Sequence, residues 1–256
     1  MTLHAITRAP SPNLAACELT HLERTPIDAK RAATEHEAYE QVLEDLGCTV
    51  ESLPAEPDLP DSVFVEDTAV VLPELAVITR PGAASRRPET ESIARALARY
   101  RPLHHIAEPG TLDGGDVLRI DRRLLVGLTS RSNAEAVEQL QGILEPFGYS
   151  VEGVEVHGCL HLKSAASWLG GDAVLLNPDW VDETLFEGLR CLHVDPDEPH
   201  AANVLQVGGT LACPAASVRT RERLERHGYE VRAVDITELA KAEAGMTCSS
   251  LIFQAG

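Results

Sequence analysis

The chain has 256 residues, of which 44% are hydrophobic and 24% are charged, the balance of an ordinary globular protein. No apolar run approaches the roughly 18 residues of a membrane-spanning helix, and the N-terminus lacks the basic start and apolar core of a secretory signal. With 40 acidic against 22 basic residues, the formal net charge of −18 argues against a nucleic-acid partner. We therefore expect a cytoplasmic protein with neither a nucleic-acid nor a membrane partner.

The six cysteines are scattered, with no C-x-x-C pair and no dense framework, so neither a zinc ribbon nor a disulfide scaffold is indicated. They are Cys17, Cys48, Cys159, Cys191, Cys213 and Cys248. We expect free thiols in a reducing compartment. The reactivity of each thiol then has to be argued from its own surroundings.

In chain order, the first predicted elements are a strand, "HAITRAPSPN", and a long helix, "DAKRAATEHEAYEQVLEDLG". Apolar residues recur in the second stretch at three- and four-residue spacing, which predicts an amphipathic helix. The helix ends at a glycine that supplies the left-handed cap, and a short strand, "CTVESL", follows it.

The rest of the chain repeats one plan: an apolar strand that opens with small or acidic residues, a turn, a second strand, and a helical stretch. The strand pairs are "VFVEDTAVVLPELAVITRPG", "LDGGDVLRIDRRLLVGLTSRS", "LHLKSAASWLGGDAVLLNPDWV" and "AANVLQVGGTLACPAAS". The helical stretches are "PETESIARALARY", "NAEAVEQLQGILEPFG", "DETLFEGLR" and "RTRERLERHG". Self-similarity at this spacing predicts a propeller or a repeat array.

A fifth repeat begins at "MTCSSLIFQ" and is completed at the other terminus, because "HAITRAPSPN" resembles "AVITRPGAAS". The C-terminal strand should therefore pair with the N-terminal strand and close a ring. The repeat anchors fall about 40 to 50 residues apart; they are Asp67, Asp116, Ser164, Asn203 and Cys248. We predict an α/β fold, a five-bladed α/β propeller of pseudo-fivefold ββαβ repeats, in one catalytic domain over residues 1–256.

In a closed propeller the equivalent strand starts converge on the central axis, so chemically active side chains at those starts should share one pocket. The candidates are Glu66, Asp67, Asp113, Asp116, His161 and Cys248. A cysteine, a histidine and carboxylates together suit covalent catalysis, in which a thiolate attacks and an imidazole moves protons. A carboxylate hydrogen-bonded to the imidazole would orient it.

The chain resembles the dimethylarginine dimethylaminohydrolases of the guanidine-modifying (pentein) superfamily. The stretches that carry the resemblance are "LPDSVFVEDTAVV", "ITRPGAASRR", "TLDGGDVL", "VGLTSRSN", "LHLKSAAS" and "MTCSSLI", in this order between about residues 59 and 252. The resemblance implies hydrolysis of N-ω-methylated arginine to citrulline and dimethylamine or methylamine. It also implies a covalent thiouronium intermediate on Cys248.

The same resemblance assigns roles to further residues. His161 would protonate the leaving amine and then activate water, and Asp113 would support His161. The substrate-binding set would comprise Leu19, Asp61, Phe64, Glu66, Asp67, Arg86, Arg131 and Ala242. Within that set, the two arginines would recognise the α-carboxylate, and the α-amino group would meet Asp61 and the backbone carbonyls near Leu19 and Ala242. Residues 19–28 would form a lid over the site.

Elementary chemistry supports the same residue types. A guanidinium is a poor electrophile because its charge is delocalised, so a strong, soft nucleophile is needed. Carboxylates such as Glu66 and Asp67 can hold the planar cation by paired hydrogen bonds and bring it against the thiol. Because those carboxylates raise the pKa of a neighbouring thiol, we predict that Cys248 is mostly neutral in the empty enzyme.

Other interpretations stay open at this point. His157 and His161 have the four-residue spacing of a metal pair on a helix, but the glycine between them and the strand that follows argue against a site. "DGGD" lacks the lysine and the spacing of a phosphate loop, and two glycines in a tight turn explain it. We expect no metal and no cofactor.

Two other functions also stay open. One is hydrolysis of another guanidino compound, as in an arginine deiminase. The other is a non-catalytic propeller that works as a binding module, since a fold alone does not fix a function. We expect a small guanidino amino acid as the partner and consider a homodimer plausible.

Overall fold

A computed structural model describes residues 2–255; Met1 and Gly256, the ends of the predicted domain, lie outside the described residues. The strands form five three-stranded sheets, and β15 and β1 belong to the same sheet. The strands are β1 Leu3–Arg8, β2 Cys48–Leu53, β3 Ala69–Val71, β4 Ala76–Ile78, β5 Leu103–His105, β6 Val117–Ile120, β7 Arg123–Leu128, β8 Ser150–Glu155, β9 Ala166–Trp168, β10 Ala173–Leu176, β11 Arg190–His193, β12 Leu205–Val207, β13 Thr210–Pro214, β14 Glu230–Val234 and β15 Leu251–Gln254.

Every sheet has the same internal plan. The middle strand pairs antiparallel with the strand before it and parallel with the strand after it, as β4 does with β3 and β5. In the last sheet β1 takes the middle place, antiparallel to β15 and parallel to β2. The C-terminal and N-terminal strands thus close the ring, and the predicted five-unit α/β propeller is confirmed.

A parallel pair needs a crossover connection, and helices supply it in four of the five units. The helices are α1 Ala29–Asp45, α2 Glu89–Leu97, α3 Ala134–Leu144, α4 Leu162–Ala165, α5 Val218–Arg226 and α6 Thr237–Ala240. The third unit crosses over through a single 3₁₀ turn, Glu183–Phe186. None of the helices within residues 2–255 is long and apolar enough to span a bilayer.

The buried apolar residues form five clusters, and each cluster takes side chains from two neighbouring sheets. One joins Val77 of β4 to Leu124 of β7, and the next joins Leu125 of β7 to Val174 of β10. Another, with Ile6 of β1, lies between the last sheet and the first. The core is therefore a ring of inter-sheet contacts around the axis.

At the axis the starts of the first strands are joined by polar contacts. Thr247 Oγ1 donates to Glu66 Oε2 at 2.6 Å, and Lys163 Nζ donates to Glu66 Oε1 at 2.5 Å. Asn203 Nδ2 donates to the Lys163 carbonyl at 2.9 Å and to Thr247 Oγ1 at 3.1 Å. We call these four residues (Glu66, Lys163, Asn203 and Thr247) the central layer. The layer ties four of the five units together across the axis.

Candidate active site

Cys248 lies on a short loop directly before β15. Its Sγ accepts a hydrogen bond from the Gly245 N–H at 3.2 Å, and its carbonyl accepts one from the Glu66 N–H at 3.1 Å. A Cβ on Gly245 would come within 2.4 Å of Asn203 Cγ, so the loop reaches this close approach only with glycine. The loop therefore fixes the thiol beside the start of the first unit.

Protein atoms surround the Cys248 thiol except where it faces a pocket. Burial raises the pKa of this thiol well above its usual range, and the charges of Glu66 and Asp67 raise it further. The Gly245 N–H and Lys163 act in the opposite direction but are outweighed. These surroundings favour the neutral thiol in the unliganded protein, as the sequence predicts.

His161 immediately precedes α4 and is buried. Its Nε2 lies 3.1 Å from Asp113 Oδ2, and its Nδ1 lies 3.9 Å from Asp67 Oδ1. Burial lowers the pKa of the imidazole, but Asp67, Asp116 and Asp113 outweigh burial and raise this pKa to about 9. The imidazole is thus protonated at neutral pH and can donate a proton.

Asp113 is fully buried behind His161 and does not reach the pocket surface. Its Oδ1 accepts the Gly82 N–H at 2.9 Å, while its Oδ2 faces His161 and lies 3.6 Å from Arg131 Nη1. These contacts fix the carboxylate, which in turn fixes the imidazole.

The two glycines after Asp113 allow close approach. A Cβ on Gly114 would lie 2.0 Å from the Glu66 carbonyl, and one on Gly115 would lie 2.6 Å from His161 Nδ1. The pair forms a 3₁₀ turn that leads into β6. The predicted tight turn between two strands is thus a turn before a strand, where bare backbone makes room for the imidazole.

Asp67 is a buried anion at the pocket wall. Its Oδ2 accepts a hydrogen bond from Arg86 Nη1 at 2.6 Å, and its Oδ1 accepts one from the Gly115 N–H at 2.9 Å. Burial opposes the charge, but His161 and Arg86 lower the pKa of this carboxyl to about 2. The pocket therefore presents a permanent negative charge near the thiol.

Most N–H groups of Arg86 donate to protein partners. Its Nε and Nη2 donate to Glu89, Nη2 also donates to the Phe64 carbonyl, and Nη1 donates to Asp67. Among residues 2–255 these contacts leave one Nη1 hydrogen for a ligand. Arg86 thus mainly holds Asp67 in place and can give a substrate carboxylate at most one hydrogen bond.

Arg131 has fewer protein partners than Arg86. Its Nη2 donates to Thr20 Oγ1 of the lid at 3.2 Å, and its contact with Asp113 is a long 3.6 Å. Asp61 accepts the Glu18 N–H with both carboxylate oxygens at 3.2 Å, at the point where the chain enters the lid. A carboxylate-binding group and a carboxylate therefore flank the lid side of the pocket.

One pocket brings together most of the predicted residues. Its lining residues are Glu18, Asp61, Phe64, Asp67, Arg86, Arg131, Leu160, His161, Ala242, Glu243, Ala244 and Cys248. Its cavity volume is only about 20 Å³, too small for an amino acid. The pocket is therefore closed, and a substrate can enter only after the cover moves.

Two members of the predicted binding set do not line this pocket. Glu66 directs its carboxylate into the central layer and towards a second cavity on the opposite side. The physical reason is the 3₁₀ turn Val65–Thr68, in which successive side chains are about 120° apart, so Glu66 and Asp67 point in different directions. Leu19 packs its side chain against the apolar cluster under the lid. Its implied contact was through the backbone.

Four lining residues were missed at the level of sequence: Glu18, Leu160, Glu243 and Ala244. All four lie next to a predicted residue or within two positions of one, since Glu18 adjoins Leu19, Leu160 adjoins His161, and Glu243 and Ala244 follow Ala242. A search around each predicted residue would have found them, but the contacts that Glu243 makes depend on how the lid folds back.

Asp67, Asp113 and His161 are the residues, within the described part of the chain, whose potential ligand atoms lie within 4.8 Å of one another. Each of them already has protein partners: Asp67 binds Arg86 and Gly115, and Asp113 binds Gly82 and His161. A metal ion here would have to displace those partners. The geometry suits a hydrogen-bonded acid–base pair better than a coordination sphere.

A closed ring of five ββαβ units with a cysteine, a histidine and carboxylates at its axis defines an α/β propeller of the guanidine-modifying type. A sequence model of the family described as "N,N dimethylarginine dimethylhydrolase, eukaryotic" matches residues 18–176. The N(G),N(G)-dimethylarginine dimethylaminohydrolase of Streptomyces coelicolor is 44% identical over 250 residues, 96% of this chain and 95% of that protein. The chain belongs to the dimethylarginine dimethylaminohydrolase family.

Other relatives match nearly the whole chain. The enzyme of the same name from Pseudomonas aeruginosa is 35% identical over 99% of this chain and 100% of its own. The structure of a cysteine-to-serine variant from Pseudomonas aeruginosa, complexed with citrulline, matches with a TM-score of 0.95, covering 99% of this chain and 100% of that one. The N-terminal domain of an arginine dihydrolase from Cyanobacteria, 18% identical with a TM-score of 0.83, shares the fold alone.

Proposed function

We propose that this protein hydrolyses N-ω-methylated arginines to citrulline and a methylated amine. The observation that carries the proposal is the shared pocket of Cys248, His161 and Asp67 in a chain of this family. The complex of the Pseudomonas aeruginosa relative with citrulline supports the same product. A histidine-to-glycine variant of a relative forms an adduct with S-methyl-L-thiocitrulline.

Asp67 holds the guanidinium by hydrogen bonds to its N–H groups, which places the central carbon against Cys248. The arriving cation offsets the negative field of Asp67 and lowers the pKa of the thiol, so that the thiol loses its proton to solvent and the thiolate attacks that carbon. A C–S bond forms and the bond to the substituted nitrogen breaks. Protonated His161 gives its proton to the leaving amine, so a neutral amine departs.

His161 is neutral after this first half and accepts a proton from the attacking water. Water adds to the thiouronium carbon, the C–S bond breaks, and citrulline and the Cys248 thiol are released. Asp113 keeps the imidazole oriented in both halves because it contacts Nε2 throughout. At the other end of the substrate, Arg131 with one Arg86 N–H would bind the α-carboxylate, and Asp61 with the Ala242 carbonyl would bind the α-amino group. Phe64 would contribute part of the pocket wall.

The finer assignments stay predictions: a homodimer, a cytoplasmic location, and a single catalytic domain over the whole chain. The small-molecule partner in this proposal is a guanidino amino acid. Light scattering on the purified protein tests the dimer directly.

The test of the function is a product assay with asymmetric dimethylarginine, monomethylarginine and arginine, in which citrulline, dimethylamine, methylamine and ammonia are quantified. The rate of dimethylamine release should fall by at least about 10³-fold in Cys248→Ser, because an alkoxide is far harder to form than a thiolate. Cys191→Ser is the matched control, since Cys191 lies outside the pocket, and it should keep full activity.

The product pattern separates the alternatives. Ammonia from arginine as the main product would make the protein a deiminase with the same chemistry. No turnover of any of the three compounds would contradict the enzymatic proposal and favour a binding module.

A further inference from the structure

The lid, residues 19–28, contains no helix or strand and is held by polar contacts at three places. At its start the Glu18 N–H donates to Asp61. At its end Lys241 Nζ donates to the Pro26 carbonyl at 3.0 Å, and the Asp28 N–H donates to Glu238 at 2.9 Å. In the middle of the lid, Arg131 Nη2 donates to Thr20 Oγ1 at 3.2 Å, and Arg24 donates to the Ala15 and Cys17 carbonyls at 2.6 Å. One further side chain accepts backbone N–H groups of the lid.

That acceptor is Glu243, the side chain with the most hydrogen bonds to the lid backbone. Its carboxylate accepts the backbone N–H groups of three consecutive lid residues: Thr20 at 3.1 Å, His21 at 2.5 Å and Leu22 at 2.6 Å. The side chains of these three residues are exposed, and Leu22 is 40% exposed, so apolar burial adds little to holding this part of the lid. Hydrogen bonds to a charged acceptor are the stronger kind and are the main attachment here.

The backbone of Glu243 is itself unusual. Its φ is +61°, in the left-handed region that residues other than glycine and asparagine rarely adopt. Within residues 2–255 only Asp121 shares a positive φ without being a glycine. Residues in such conformations persist where the surrounding structure holds them, and they concentrate at ligand clamps and switch regions.

Glu243 contacts both the lid and the pocket. Glu243 lines the closed pocket and adjoins Ala242, and the loop that carries it continues through Gly245 to Cys248. One loop therefore contacts the lid through Glu243 and carries the thiol. The closed cavity of about 20 Å³ is too small for a substrate, and opening of the lid would require the three hydrogen bonds to Glu243 to break.

We propose that Glu243 is a positioning residue whose carboxylate latches the lid shut over the substrate. The latch itself is a property of the protein alone, whereas its effect on substrate binding rests on the proposed function. Loss of the carboxylate should leave the lid open and weaken substrate retention without changing the reacting groups.

The experiment combines amide hydrogen exchange with steady-state kinetics on the full-length protein. Glu243→Gln keeps the size of the side chain and removes its charge. Glu243→Gly removes the side chain but suits the left-handed backbone, so this variant should fold. In both variants, amide exchange at His21 and Leu22 without substrate should be at least about ten-fold faster than in the wild type. KM for monomethylarginine should rise about ten-fold, whereas kcat should stay within about three-fold of the wild-type value.

The matched control is Glu23→Gln in the lid itself, because the Glu23 side chain makes no hydrogen bond or ion pair to any other residue between 2 and 255. It should leave both the exchange and the kinetics unchanged. Unchanged exchange at His21 and Leu22 in both Glu243 variants would overturn the latch. Faster exchange with an unchanged KM would overturn the positioning role. A wild-type protein that turns over no methylarginine refutes the proposed function alone, since exchange still tests the latch.

Discussion

The central layer has a cavity on each side, and the two cavities differ in volume and in the polarity of the residues that line them. On one side lies the closed pocket with Cys248 and His161. On the other lies a larger cavity of about 300 Å³, whose walls include Ala69, Val117 and Val204. The first carries a buried network of charges, and the second is mostly apolar above the layer.

Adjacent residues account for this difference. Glu66 and Thr247 face the apolar cavity, whereas their next neighbours, Asp67 and Cys248, face the pocket. Glu66 and Asp67 belong to the 3₁₀ turn Val65–Thr68, in which successive side chains are about 120° apart around the axis, and Thr247 and Cys248 lie in the turn before β15. Two neighbouring residues just before a strand can therefore serve two different sites. A propeller of this kind can therefore change its chemistry on one side of the central layer while the packing on the other side stays the same.

The largest effect should come from the pocket side. Asp113→Asn keeps the size of the side chain but removes the charge that orients His161 and stabilises its protonated form, so kcat should fall about 10³-fold. The variant should also shift the alkaline limb of the pH–rate profile to lower pH, because the pKa of His161 loses one of the carboxylates that raise it. Asp58→Asn, at an exposed position, is the control. Equal kcat in the Asp113 variant and the wild type would refute the orienting role.

An intermediate effect should come from the central layer itself. Lys163→Met leaves the Glu66 carboxylate without its cation directly behind Cys248, so the pKa of the thiol should rise further and kcat/KM should fall about 10- to 100-fold. The rate of alkylation by iodoacetamide, measured against pH, reads the thiol directly and should decrease.

The matched control for this variant lies on the other side of the layer. Gln206→Ala alters the wall of the apolar cavity and should change kcat/KM by less than about two-fold. A Gln206 variant as impaired as the Lys163 variant would show that the two cavities are coupled, which would break the distinction between them.

The smallest effect concerns stability against pH. The pKa of His161 is raised from 6.5 to about 9 in the folded state. The contribution of this group to folding stability is therefore fully present below pH 6.5 and is lost as pH rises through 9. Between these values the Tm of the wild type should fall by about 5 °C relative to that of His161→Gln, which lacks the titrating group. Differential scanning calorimetry across this range is the measurement. Parallel Tm curves for the two proteins would contradict the raised pKa.

Much of the fold was predictable because the pattern repeats. Small or acidic residues mark the start of each first strand, and the likeness of the N-terminal strand to "AVITRPGAAS" showed how the ring closes. Convergence of the strand starts predicted one pocket for six residues. Asp67, His161 and Cys248 line it, whereas Glu66, Asp113 and Asp116 do not. Local signals of this kind are strong when five copies agree.

The rest depended on contacts that have no local signature. The i,i+3 spacing of Arg86 and Glu89 hints at their ion pair, but nothing in the sequence shows that it is buried and nearly saturates the guanidinium. Glutamate has no preference for the left-handed backbone that Glu243 adopts, so sequence gave no reason to single it out. Such conformations arise from tertiary structure, which overrides local propensity.

The five inter-sheet clusters have a consequence for how the molecule comes apart. An open array of repeats has two terminal repeats, each with one neighbour, and these can fray before the others. In the ring every sheet belongs to two clusters, and β1 and β15 join the last sheet to the first. Opening any one sheet exposes apolar surface on both of its flanks, so thermal unfolding should occur as one cooperative transition without stable partial arrays.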